Sequence, residues 1–194
     1  MGLTIFYKGS FKQKASLQEL IEEVTDIAVA NDWPYTVFEK EFPPNNLGQK
    51  EFNDEMYGIV FSPPKCEPVF LTFLSNGVMA NTIYLEHHKS FKSGPSIAVK
   101  TQYAGPAVHV VVVNLLKYLN SKYFLNFEVF DETEYWETGS EKKMLEHFER
   151  MGLLLDSFAN MLSGLKRKKG ESVEDAIKRA AEQMNLKLKK KRKD

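Results

Sequence analysis

Between the apolar runs Val69 to Leu74 and Val78 to Leu85 stands Ser75-Asn76-Gly77. Asn-Gly accepts positive φ at both central positions of a tight turn, so the two runs are expected to pair as an antiparallel hairpin. Tyr57 to Ser62, just upstream, reads as a further strand of the same meander.

The rest of the chain alternates strand-like runs with helical stripes. Leu3 to Phe11 is rich in Ile, Phe, Tyr and Thr and reads as a strand. Ser16-Leu-Gln-Glu19 forms a capping box, and Leu17, Leu20, Ile21, Val24, Ile27 and Ala28 follow at helical spacing. Asn31 to Pro34 stops that helix, and Tyr35 to Phe42 reads as a second strand. Pro43 to Glu55 is then a polar, aperiodic connection long enough to suggest function. His87 to Gly94 reads as another polar loop, and Ser96 to Thr101 as a strand. Residues 107–121 contain four consecutive valines that favour a strand by propensity. Yet Val108, Val111, Val112, Leu115, Leu116 and Leu119 recur at helical spacing behind Gly105-Pro106, so a helix is expected. Phe124 to Phe130 and Tyr135 to Thr138 are expected to form a hairpin around Asp131-Glu132-Thr133-Glu134. Ser140 then caps a long final helix whose apolar residues run from Met144 through Phe148, Met151, Leu155, Phe158 and Leu162 to Leu165. The alternating spacing of four and three suits either a helix covering one face of the sheet or a coiled-coil contact with a second copy.

This order defines an α+β fold: a curved, mainly antiparallel sheet of about six to eight strands, helices on one face, a long C-terminal helix and a basic tail. In topology alone it resembles the strand–helix–four strands–helix plan of TATA-binding-protein-like and helix-grip folds. That resemblance implies a sheet shape and no activity.

The net charge of zero conceals a division. Of the 26 Lys/Arg, 12 fall in residues 166–194, against 5 of the 26 Asp/Glu, so that segment carries +7 and residues 1–165 carry −7. The domain organisation read from this is a globular domain over 1–165 and a largely flexible basic tail over 166–194. Within the tail, Ser172 opens a short amphipathic helix. Cys66 is the single cysteine, which leaves no internal disulfide and suits a reducing compartment. With no leader pattern and no apolar run long enough to span a bilayer, a cytoplasmic location and no membrane contact are expected.

The tail is the first candidate site. Lys166, Arg167, Lys168 and Lys169, with Lys189, Lys190, Lys191, Arg192 and Lys193, form two clusters suited to displacing counterions from a polyanion. No aromatic residue is interleaved there, so stacking by the tail is not expected. Asp131, Glu132, Glu134 and Trp136 form an acidic, aromatic hairpin that could receive the tail or another partner. If Val78 to Leu85 is a strand, the loop holding Cys66 and the one holding His87 and His88 share an end of the sheet, where a thiol beside an imidazole would be a workable nucleophile. His109 and His147, in the two later helices, read as surface or boundary residues. Phosphate-loop, dinucleotide, nucleophile-elbow and paired Cys-x-x-Cys motifs are absent from the sequence, and neither a cofactor nor a metal is expected.

The resulting expectation is a non-catalytic binding or adaptor module whose tail contacts nucleic acid or another acidic partner. The alternatives are an enzyme with a small pocket near Cys66 and His87/His88, and a structural homodimer through the 141–165 helix.

Overall fold

Strand β1 (Thr4–Phe11) turns Ile5, Tyr7 and Phe11 inward and leaves Phe6 and Lys8 in solvent, the period-two pattern of a strand with one covered face. The computed structural model describes residues 2–90, 94–163, 171–172 and 174–179. The chain divides into two units, Met1–Phe148 and Glu149–Asp194.

In the first unit, helix α1 (Leu17–Ala30) begins where expected. The Ser16 hydroxyl accepts the Glu19 N–H at 3.2 Å, and Leu17, Leu20, Ile21, Val24 and Ala28 are buried. Strands β2 (Tyr35–Val37), β3 (Tyr57–Phe61) and β4 (Val69–Phe73) form one antiparallel sheet in the order β2-β3-β4. After the short helix α2 (Thr82–His87) and a 3-10 turn over His88–Ser90 comes β5 (Ile97–Lys100). Helix α3 (Pro106–Tyr123), β6 (Phe124–Asp131), α4 (Tyr135–Thr138) and α5 (Glu141–Ser163) follow. A second antiparallel sheet has the order β5-β1-β6.

Among the described residues the expected single sheet of six to eight strands is therefore two sheets of three. Two local causes account for this. The run Val78 to Leu85 pairs only at Val78, with Ser10, and at Met79, with Phe73. Asn81 then takes the Tyr84 N–H at 2.9 Å and starts α2. Likewise Tyr135 to Thr138 is helix and not the second arm of a hairpin, because the Asp131 carboxylate accepts the N–H groups of Thr133 (2.9 Å) and Trp136 (3.0 Å) and curls the chain.

The Asn-Gly turn is present in another form from the one expected. Gly77 N–H donates to the Leu74 carbonyl at 2.8 Å and Leu74 N–H to that of Val78 at 2.9 Å, making a three-residue loop in which Gly77 alone of the three has positive φ (+83°). Phe11 N–H reaches the Gly77 carbonyl (2.8 Å) and Met79 N–H that of Gly9 (2.9 Å), so the end of β1 lies against the turn arm of the other sheet.

The valine-rich segment is helical, as its spacing predicts, with Pro106 at the first turn after Gly105 at φ +88°. Its buried face is rotated from the expected one: His109, Val112, Val113, Leu116 and Leu119 are inside, and Val111 is exposed. In β6 the positive φ of Asn126 (+51°) marks a bulge opposite β1. This extra residue lets Phe124 before it and Asp131 after it both point inward. Helix α1 packs on β3 and α3 on β6, around Leu20, Ile59, Leu71, Phe73 and Leu116.

Of the α5 stripe, Met144 is buried in the first unit and Phe148 packs against its core. In the second unit Leu153, Leu155 and Phe158 are exposed. That unit also holds a helical stretch over 174–179, with Ser172 accepting the Asp175 N–H at 3.0 Å and Arg179 gripping the Glu171 carboxylate through two bonds of 2.8 and 2.9 Å. Among the described residues no helix is long and apolar enough to cross a membrane.

Candidate functional site

The most polar part of the interior gathers around His109, which is fully buried and not a boundary residue. Its Nε2 donates to Asp131 Oδ2 at 3.2 Å and lies 2.9 Å from the Thr133 hydroxyl, while Nδ1 lies 2.7 Å from the Thr101 hydroxyl. Burial pushes the Asp131 carboxyl upward, but the bond from His109, its Coulombic attraction and the N–H groups of Thr133 and Trp136 outweigh it. The group is held below its ordinary value. Hydroxyl, imidazole and carboxylate stand in the order of a nucleophilic triad. However, Thr101 and His109 are each 0% exposed, leaving no approach for a substrate. The centre ties the end of β5, α3, β6 and α4 together. Positions 109, 112, 113 and 116 share one helix face, so the periodicity of α3 held the signal that His109 faces inward.

Cys66 and the vicinal histidines are not brought together. The Cys66 thiol sits half-buried, 3.7 Å from the Lys100 carbonyl. Burial, and secondarily the Glu67 carboxylate, push it up to about 11, so it is almost wholly the unreactive thiol at neutral pH. His87 and His88 belong to a different place, a cleft of about 600 Å³ lined also by Phe38, Asp54, Met56 and Thr82. There His88 Nδ1 faces the Leu85 carbonyl at 3.0 Å and its ring meets Phe52 edge-on, while His87 Nε2 is 3.8 Å from Glu86. Among the described residues no group of three or more His, Cys, Asp or Glu could hold a metal ion.

The acidic segment after β6 is also not one surface. Asp131 is buried and cannot face a partner. Glu132 Oε2 accepts the Thr4 N–H at 2.8 Å, and Glu134 pairs with Lys143 at 3.3 Å in solvent. Trp136 is half-buried against Phe127, with Lys117 Nζ 5.4 Å from its ring centre. The 43–55 connection, expected to be a loose functional loop, is pinned to the hairpin. The buried Ser75 hydroxyl receives Asn46 Nδ2 (2.6 Å) and the Asn53 N–H (2.9 Å), and Asn76 donates to the Gln49 carbonyl (3.1 Å).

One surface was not singled out by sequence reading. On the outward face of the β5-β1-β6 sheet Phe6 lies directly between Ala98 and Phe130, with the two phenyl centroids 6.1 Å apart and the rings tilted by 35°. Phe6 is 37% and Phe130 62% exposed. The outward alternation of β1 places Phe6 there, but its neighbour across the sheet depends on register over a separation of 124 residues, which one sequence does not show. The basic clusters 166–169 and 189–193 lie outside the described residues.

Compared with known proteins, the chain matches no family model, no curated protein and no solved structure.

Proposed function

We propose that the protein is a non-catalytic binding module that engages a polyanion, nucleic acid foremost, through its basic C-terminal segment. The observation that carries this reading is the charge division: +7 over residues 166–194 against −7 over the rest. Counterion release from a nucleic acid favours a dense Lys/Arg run whatever the base sequence, whereas the net charge of the remainder, taken as a whole, opposes association. The sealed state of the Thr101–His109–Asp131 centre and the raised Cys66 thiol add weight to binding over catalysis.

The test is retention on heparin and binding of a labelled duplex across a salt series. Comparison is with a full-length variant carrying glutamine at Lys166, Arg167, Lys168, Lys169, Lys189, Lys190, Lys191, Arg192 and Lys193. Log affinity is expected to fall linearly with log salt for the native chain, and the slope to flatten in the variant. Equal binding by both proteins overturns the reading.

A second reading, a homodimer through the 141–165 helix, is favoured by the exposure of Leu153, Leu155 and Phe158. Mass measured against concentration, with and without Leu155→Ser and Phe158→Ser, decides it.

A further inference from the structure

The outward face of the β5-β1-β6 sheet combines the two features that recognise a single nucleic-acid strand, namely uncovered aromatic rings and a line of cations. The rings are Phe6 and Phe130. Along β1 the positions that share the orientation of Phe6 are Thr4, itself only 8% exposed and opposite Lys100, and Lys8, opposite Glu128. Two residues along a strand span roughly 6.7 Å, so a lysine flanks the ring pair at each end. Beyond Lys8 the same face continues through Ser10 and the 51% exposed Leu125 into a cleft of about 550 Å³ that Lys12 and Lys14 also line. Lys12 is steadied there by the carbonyls of Asn120 and Ser121. Glu128, opposite β1 on this face, pairs with Lys8 at 2.9 Å, and at the other end the carboxylates of Glu132 and Glu67 are taken up by the N–H groups of Thr4 and Lys100. Cations thus gather along β1 in a part of the chain that is acidic as a whole.

We infer that this face stacks the bases of a single-stranded nucleic acid, with Phe6 and Phe130 as the stacking rings and Lys8, Lys100, Lys12 and Lys14 beside its phosphates. The inference rests on the polyanion reading above and sharpens it to a strand class. In a duplex both faces of each base are covered by its neighbours, so rings on a sheet have nothing to stack upon. An unpaired base offers its π-face to an exposed phenyl whatever its identity. A purely apolar protein partner would leave the lysine line without a role.

The experiment titrates the full chain into labelled oligo(rU), oligo(dT) and a duplex of equal length. It compares wild type, Phe6→Ala/Phe130→Ala, Phe6→Tyr/Phe130→Tyr and the glutamine variant of the basic clusters. The alanine pair is expected to weaken single-strand binding about tenfold or more while heparin retention stays unchanged; the tyrosine pair, which keeps both rings, is expected to retain the affinity. Quenching of Phe130→Trp fluorescence on adding either oligonucleotide gives a second readout that does not depend on the alanine pair folding. Whichever of oligo(rU) and oligo(dT) binds tighter identifies RNA or DNA as the source.

The inference is overturned if the alanine pair binds single strands as tightly as wild type while the glutamine variant does not, an outcome that leaves the polyanion reading standing. It is equally overturned if wild type self-associates and the alanine pair does not, because a second copy then covers the face. Failure of wild type to bind heparin or any of the oligonucleotides removes the polyanion reading, and this inference with it.

Discussion

His109 Nε2 and Asp131 Oδ2 meet at 3.2 Å with both side chains closed off from solvent, joining the middle segment of the first unit to the end of its longest sheet pairing. Removing the imidazole strands a buried carboxylate, so His109→Ala is expected to lower stability by about 3–5 kcal/mol in denaturant titration.

The same pair sets a pH dependence. The folded Asp131 carboxyl titrates below its unfolded value, so its contribution is complete above the ordinary aspartate pKa of about 3.9. It is lost as pH falls through the lower, folded value. Asp131→Asn is expected to reduce stability at neutral pH and to flatten the acid limb of a plot of stability against pH. An acid limb identical to wild type would remove Asp131 from that role.

Cys66 is expected to resist alkylation. With its pKa pushed up to about 11, its thiolate fraction at pH 7.5 lies on the order of a hundredfold below that of an ordinary cysteine. Iodoacetamide labelling followed by mass spectrometry should be slow in the folded protein, rise steeply above pH 10 and become fast in denaturant.

Gly58→Ala is expected to be among the most damaging single substitutions in β3. Gly58 has φ +107°, and a Cβ there would run into the Leu71 carbonyl of the neighbouring strand. Its own N–H and carbonyl are both engaged, with Glu39 and Phe38. A loss of about 3 kcal/mol or more in thermal or denaturant unfolding is expected.

Ser75→Ala tests whether the 43–55 connection depends on the hairpin. Losing the hydroxyl leaves Asn46 Nδ2 and the Asn53 N–H without their acceptor, at about 1–2 kcal/mol. Limited proteolysis should then cut within 43–55 faster than in wild type.

What could be read from the sequence follows the range of the interactions involved. Helices α1 and α3 and strand β1 were legible because their determinants are local: the Ser16 cap, the stripe behind Gly105-Pro106 and the Ile, Phe, Tyr and Thr content of Leu3 to Phe11. Val78 to Leu85 misled because apolar content alone does not tell a strand from a short helix, and the Asn81 side chain, fourth in the run, decides the matter. Tyr135 to Thr138 misled for a related reason, since Asp131 looked like a surface acid while its carboxylate serves backbone N–H groups. The aromatic pair on the outer sheet was out of reach altogether. Phe6 and Phe130 are neighbours only because β1 pairs with β6, and no feature near either residue announces that register.

That long-range pairing also bears on how the molecule is made. Ile5 sits opposite Asp131, so β1 leaves the ribosome 126 residues ahead of the strand that flanks it on one side. At 5–20 residues per second that interval is roughly 6–25 s. During it the Ile5, Tyr7 and Phe11 side chains can lie against the β4 hairpin, Phe42, β5 and Tyr123 of α3, but one backbone edge of β1 has no partner. Loop closure over such a distance must precede the contacts that reward it, which places β6 docking late and makes refolding slow for a chain this size. Until then the unpaired side of β1 is the edge most exposed to a wrong neighbour.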